Sequence, residues 1–326
     1  MKKLFLLLLT TCVIPSCSNN ESGEVISTKN NNDGLTLEML SNEAQRNFIK
    51  DIDQINKEFQ IPKTKISQKD VAEGSKWILK AGVDGIGGAI GGLAFGWLTG
   101  AAASTLYEVY LEKMEQKMTR TSSYYSYEYI DVAKNEEYNE LYESLAFRFC
   151  DNIPKNTQDS IGYIHNEILN AFMVKNERNY ILDNKIDFQS FYSDYKKMVK
   201  QLGYSSEYVD TVFNENLNNC FNSTIEALAN LHVQTKADNN VFDEIELSLY
   251  NNAILKKEDA KFLSLLAKNI ILSFPRGMPV ERLTSYSEKI KNALKHSELT
   301  AENISMCKQF FQTIVCSYIY WKYSKL

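Results

Sequence analysis

From Thr36 to the C-terminus apolar residues recur at spacings of three and four, and alternating β-branched runs and Asn-Gly hairpin turns are scarce. That period predicts an all-α chain. Helices are expected over Thr36 to Phe59, stopped by Pro62, and from Ser67, where Ser67 and Asp70 match a capping box, on through Tyr107 to Met118. Further helices are expected over Asp131 to Asp151, Thr157 to Val174, Phe188 to Leu202, Ser206 to His232, Lys257 to Leu272, Val280 to His296 and Thr300 to Tyr323. Gly203 is placed to end one helix, Ser206 to cap the next, and Pro279 and Thr300 to open two more. The run TRTSSYYSYEYI, residues 119 to 130, divides a helical region over 36–120 from a C-terminal α-helical bundle over 121–326.

One segment breaks the pattern. Gly85 to Tyr107, GIGGAIGGLAFGWLTGAAASTLY, has no charge and holds seven of the fourteen glycines. Gly88, Gly92, Gly96, Gly100 and Ser104 recur every four residues, which on one helix makes a smooth stripe widened by Gly87 and Gly91. Seven interior glycines cost about 6 to 7 kcal/mol of helix propensity relative to alanine, so a close-packed neighbour is needed to offset them. The segment resembles the glycine zipper of membrane-associated helices, including some bacterial envelope proteins and membrane-active peptides. Three arrangements are open: a helix buried against the bundle, a membrane-inserting or oligomerising helix, and a glycine-rich loop. On the membrane arrangement Lys80 and Asp84 would lie near one interface and Glu108 near the other.

The N-terminus, MKKLFLLLLTTCVIPSC, has a basic start at Lys2 and Lys3, an apolar stretch over Leu4 to Leu9, and Ser16 before Cys17. It reads as an export signal too short to span a bilayer. Ile14, Pro15 and Ser16 before Cys17 resemble the lipobox of bacterial lipoproteins, although Pro15 departs from the usual small residue, and Cys12 is a weaker rival. The resemblance implies cleavage after residue 16 and acylation of Cys17, with membrane attachment through more than one acyl chain. Residues 17–35 are then a lipidated, disordered tether, polar and Asn/Ser-rich. The expected location is the bacterial envelope, at the outer membrane.

Composition narrows the function classes. At 44% hydrophobic and 24% charged the chain has enough apolar residues for a core, and a net charge of -5 with pI near 5.5 argues against nucleic acid as a partner. Cys150, Cys220, Cys307 and Cys316 remain after the leader and Cys17 are set aside; export would permit disulfides, and buried thiols are the plainer reading. Cys307 and Cys316 sit about 13 Å apart along one expected helix and cannot pair with each other. His165, His232 and His296 are far apart with no metal-ligand spacing beside them, and no nucleophile elbow, P-loop or dinucleotide fingerprint occurs. No cofactor is expected, and a Cys150/His165 dyad has no signature behind it.

Three clusters have both a functional and a plain reading. His165, Asn166 and Glu167 form a polar group or simply the wet face of a helix. Tyr124 to Tyr129 and Tyr318 to Tyr323 with Trp321 form glycan-stacking surfaces or core packing. Glu136, Glu137, Glu140 and Glu143 read as a solvated face. The expectation is a lipid-anchored, non-enzymatic envelope protein in which the zipper associates helices within a homo-oligomer, with an envelope partner or at the membrane. The alternative is a soluble glycan- or peptide-binding lipoprotein whose zipper is only core.

Overall fold

A computed structural model of the protein describes residues 34–60, 68–119, 131–139, 161–175, 180–182, 185–203, 207–233, 240–275 and 278–324. Cys17, the leader, Cys150, Glu140, Glu143 and the 119–130 junction beyond Thr119 lie outside them. Those residues are overwhelmingly helical, as the apolar period implies. After a 3-10 turn at Leu37–Met39 come α1 (Glu43–Phe59), α2 (Gln68–Thr119), α3 (Ile161–Lys175), α4 (Phe188–Gln201), α5 (Glu207–Val212), α6 (Glu215–Val233), α7 (Asn240–Asn251), α8 (Lys257–Ser273), α9 (Val280–His296) and α10 (Ala301–Tyr323). A two-residue antiparallel pair, β1 (Ile181–Leu182) with β2 (Lys185–Ile186), joins α3 to α4.

Helix α1 begins seven residues later than the period suggests because its approach is claimed elsewhere. The Ser41 N–H and hydroxyl and the Asn42 N–H donate to Glu258 Oε1 at 2.6, 2.8 and 3.2 Å, which holds the chain out of helical geometry. Asn42 then caps the helix, accepting from the Gln45 N–H. Past the cap, Phe48, Ile49, Ile52, Ile55 and Phe59 form one buried stripe against α8 and α9. The stretch expected as one helix from Ser206 to His232 is two, because Asn214 accepts from the Leu217 N–H and starts α6 anew. Gly203 does end α4, in the left-handed region at φ 86° that an L side chain resists.

At 1.5 Å per residue a straight α2 would be about 78 Å long. It is not straight. The Thr99 hydroxyl donates to the Gly87 carbonyl at 2.5 Å, twelve residues away, where one helix would separate them by about 18 Å. Lys80 pairs with Glu108 in the same tract. The tract therefore doubles back between Gly91 and Gly96 as a hairpin of two antiparallel helical arms. The hairpin lies against α3, α6, α8 and above all α10, and α10 is buried along nearly its whole length from Met306 to Trp321. Residues Asp33–Leu326 thus form a single compact unit, in which the glycine-rich tract and the C-terminal helices share one core.

Candidate functional site

The glycines set the geometry of the centre. A Cβ added at Gly96 would fall 2.7 Å from the Gly88 carbonyl oxygen, and one at Gly87 would fall 2.7 Å from the Thr99 carbonyl oxygen. One at Gly100 would meet Asp84 O at 3.1 Å and His165 Nδ1 at 3.0 Å. Gly88 belongs to the first arm and Gly96 and Gly100 to the second, where a Cβ at Gly96 would meet Gly88 and one at Gly100 would meet Asp84 of the first arm; Ser104, farther along the second arm, is buried. Gly92 lies within the stretch between Gly91 and Gly96 where the tract reverses. Toward α10, a Cβ at Gly85 would strike Ile314, and one at Gly88 would strike Thr313. On α3, Gly162 makes the same room for Cys316. Only backbones without side chains can pack this closely.

Where the arms, α3 and α10 meet, polar groups are enclosed. Asp84 Oδ2 accepts from the Ser317 hydroxyl and, at 3.3 Å, from Trp321 Nε1, and His165 Nε2 lies 3.4 Å from the same oxygen. Asp84, His165 and Ser317 are all 0% exposed. One turn before Asp84, the ammonium of Lys80 pairs with Glu108 and sits 4.0 Å above the Trp321 ring, a cation–π contact. Asn166 donates to Tyr138 Oη and to the Cys316 carbonyl, each at 3.0 Å, tying α3 to α10. Tyr195 of α4 donates to the Leu98 carbonyl at 2.8 Å. Burial, and then the charges of Glu108 and Asp84, push the Tyr107 phenol well above its usual range; burial and then Asp84 do the same to Tyr195.

Several sequence readings change. Lys80, Asp84 and Glu108, expected near membrane interfaces if the segment inserts, are buried, Lys80 with Glu108 and Asp84 with Ser317 and Trp321. His165 and Asn166 are not on a wet face, since both point into the cluster. Tyr318, Tyr320 and Trp321 are core residues and offer no stacking platform to a glycan. Glu136 and Glu137 are exposed as expected. Cys220, Cys307 and Cys316 are buried thiols, and His296 is exposed on α9, remote in sequence from the cluster.

The order of groups decides what the cluster can do. In nucleophilic catalysis the imidazole stands between hydroxyl and carboxylate so that it can take the hydroxyl proton. Here the carboxylate stands between Ser317 and His165, and all three are closed to solvent. The arrangement joins three helical elements through one carboxylate and activates no nucleophile. Among the described residues no group of three or more His, Cys, Asp or Glu is placed to hold a metal ion, and no helix is long and apolar enough to cross a membrane. Comparison of the chain with protein-family models, curated proteins and solved structures finds no match.

Proposed function

We propose that the chain is a lipid-anchored, non-enzymatic protein of the bacterial envelope, held by acyl chains on Cys17, whose glycine segment associates helices within its own core. The observation that carries the association is the Thr99 to Gly87 hydrogen bond across the turn. It supports the buried arrangement over a membrane-inserted one. As a hairpin, the uncharged arms on either side of the turn have at most about 20 Å each, less than the roughly 30 Å hydrocarbon core. Inserting them would also pull Lys80, Asp84 and Glu108 from their partners into lipid. The anchor rests on the order of the basic start, apolar stretch and Cys17.

The test has two arms. Mass analysis of the N-terminal peptide should find acyl chains on Cys17 and none on Cys17→Ala, which should leave the membrane fraction. Gly88→Leu and Gly96→Leu should each lower thermal stability while the folded fraction keeps the parent's oligomeric size. Loss of an oligomer without loss of stability would instead place the glycines in contact with a second molecule.

A further inference from the structure

The ionisable side chains Lys80, Asp84, Glu108 and His165 are enclosed where the hairpin arms meet α3 and α10, and none is more than 8% exposed. Contacts run through them in sequence. Glu108 pairs with the Lys80 ammonium, the ammonium rests on the Trp321 ring, Trp321 Nε1 donates to Asp84 Oδ2, and His165 Nε2 stands 3.4 Å from that oxygen. The ring of His165 fits because position 100 is glycine, whose added Cβ would lie 3.0 Å from Nδ1. One turn earlier on the same face of α3, Gly162 admits Cys316 of α10.

The charges balance only if the imidazole carries one. Lys80 is taken by Glu108, so Asp84 has two neutral donors, Ser317 and Trp321, and no cation but His165 beside it among the described residues. A carboxylate closed off from water and left unbalanced is costly, and an imidazolium next to it offsets that cost. Other titratable groups lie on the elements packed around α3: Tyr107 on the second arm, Cys316 and Tyr320 on α10, Tyr195 on α4, and Asp131 and Tyr138 from residues 131–139, with half-buried Glu167 on α3 itself. None of these can be a cation. Burial first, and then nearby charges that include Asp84, pushes the phenols of Tyr107, Tyr195 and Tyr320 well above their usual range, so they stay neutral.

We propose that His165 is a proton-binding site of the folded chain, the second cation of the buried cluster, and that loss of its proton as pH rises loosens α3 from the glycine hairpin and α10. A proton held in the folded cluster and not in the unfolded chain contributes stability at low pH and loses it as pH rises. Asn166 keeps its own hydrogen bonds to Tyr138 and to the Cys316 carbonyl, so the loss opens the edge that carries His165 and Gly162 and not the whole helix. The side chain uncovered there is Cys316, which gives the device a chemical readout.

The experiment uses the full chain with isotopically labelled histidine nitrogens, whose magnetic resonances show whether a ring carries one proton or two. The His165 signals are assigned by their loss in His165→Gln. At about pH 8, where an ordinary histidine is almost wholly neutral, His165 should be an imidazolium in the folded chain and neutral in the same chain unfolded in urea or carrying Asp84→Asn. Maleimide labelling resolved by peptide mass then follows the joint: from about pH 8 to about pH 10 the rate at Cys316 relative to buried Cys220 should rise several-fold in the parent and stay level in His165→Gln. A neutral ring in the folded parent at about pH 8 overturns the proposal, and that measurement needs no variant to fold. An imidazolium that persists in folded Asp84→Asn overturns the charge balance with Asp84. An imidazolium with a labelling ratio that pH does not move overturns the loosening of α3.

Discussion

The carboxylate of Asp84 receives the hydroxyl of Ser317 across 233 residues of chain, and neither group is exposed. Trp321 Nε1 meets the same oxygen from the next turn of α10. The first arm of the glycine hairpin is thereby fixed in rotation and in height against the central helix. A buried carboxylate is expensive unless such donors surround it, so the cluster specifies one packing of the arms and disfavours others.

Truncating the donor and truncating the acceptor should differ. Ser317→Ala removes one hydrogen bond and should lower unfolding free energy by about 1 to 3 kcal/mol. Asp84→Ala leaves the Ser317 hydroxyl and the Trp321 N–H without their shared acceptor and should lower it by about 3 to 5 kcal/mol. Urea unfolding measures both, and equal losses would mean that Ser317 is the only member of the cluster that matters.

Two glycines should respond to alanine for different reasons. In a helix Gly→Ala ordinarily gains about 1 kcal/mol, yet at Gly96 the new methyl would lie 2.7 Å from a backbone oxygen, so Gly96→Ala should destabilise. At Gly203 nothing lies within 4 Å of the added carbon, and the loss, about 1 kcal/mol, comes from the left-handed backbone alone. Gly203→Asn should recover part of that loss, whereas no small polar residue should rescue Gly96. Thermal melts of the three variants separate crowding from conformation.

The apolar period made the helical class legible, and Pro279, Thr300 and Gly203 stand at the helix ends they mark in the sequence. Helix α7 was hidden because Leu247 and Tyr250 lie on its exposed face and blur the stripe of Val241, Phe242, Ile245 and Leu249. The hairpin was hidden for a different reason. Periodicity is local and reads the same for a straight helix and one that reverses, and only the placing of opposite charges, Lys80 and Glu108, on either side of the glycine run hinted at it. Asp84, Ser317 and Trp321 could not be joined from spacing, since the fold alone brings together residues so far apart.

Acid should loosen the N-terminal segment first. Glu258 loses some solvation, which raises its pKa, but the donors from Ser41 and Asn42 outweigh this and hold it below its ordinary value. A carboxyl depressed in the folded state contributes stability above its unfolded pKa and loses it as pH falls through the folded one. The Ser41–Glu258 link should therefore weaken in the acid range below the usual carboxylate titration. Glu258→Gln should flatten the pH dependence of stability there, and amide exchange at Ser41 and Asn42 should already be fast in it at neutral pH. A slope equal to the parent's would place the titration elsewhere.

Buried thiols give a readout of the intact core. Burial raises the pKa of Cys307 and, less strongly, of Cys220, which suppresses the reactive thiolate. Neither these two nor Cys316, packed against Gly162, should take up a maleimide in the native protein, and all three should do so in urea. Gly162→Ala, whose methyl would fall 2.9 Å from Cys316 Cβ, should speed native labelling at Cys316 while leaving Cys220 slow. Equal speeding at both cysteines would indicate global unfolding instead of a local opening between α3 and α10.

The Lys80–Glu108 pair offers the most direct check of the doubled-back tract. The two residues are 28 positions apart, about 42 Å along an uninterrupted helix, a separation at which side chains do not couple. In the hairpin they are in contact and almost fully buried. Lys80→Met and Glu108→Gln should each be destabilising, because each takes an oppositely charged neighbour from a buried charge, and the double variant should lose less than the sum by about 1 to 3 kcal/mol. Removing Trp321 should lower the cost of Lys80→Met as well, since the ammonium also rests on that ring. Strictly additive losses at 80 and 108 would mean that the arms do not meet, and the glycine tract would then have to be read again as a single extended helix.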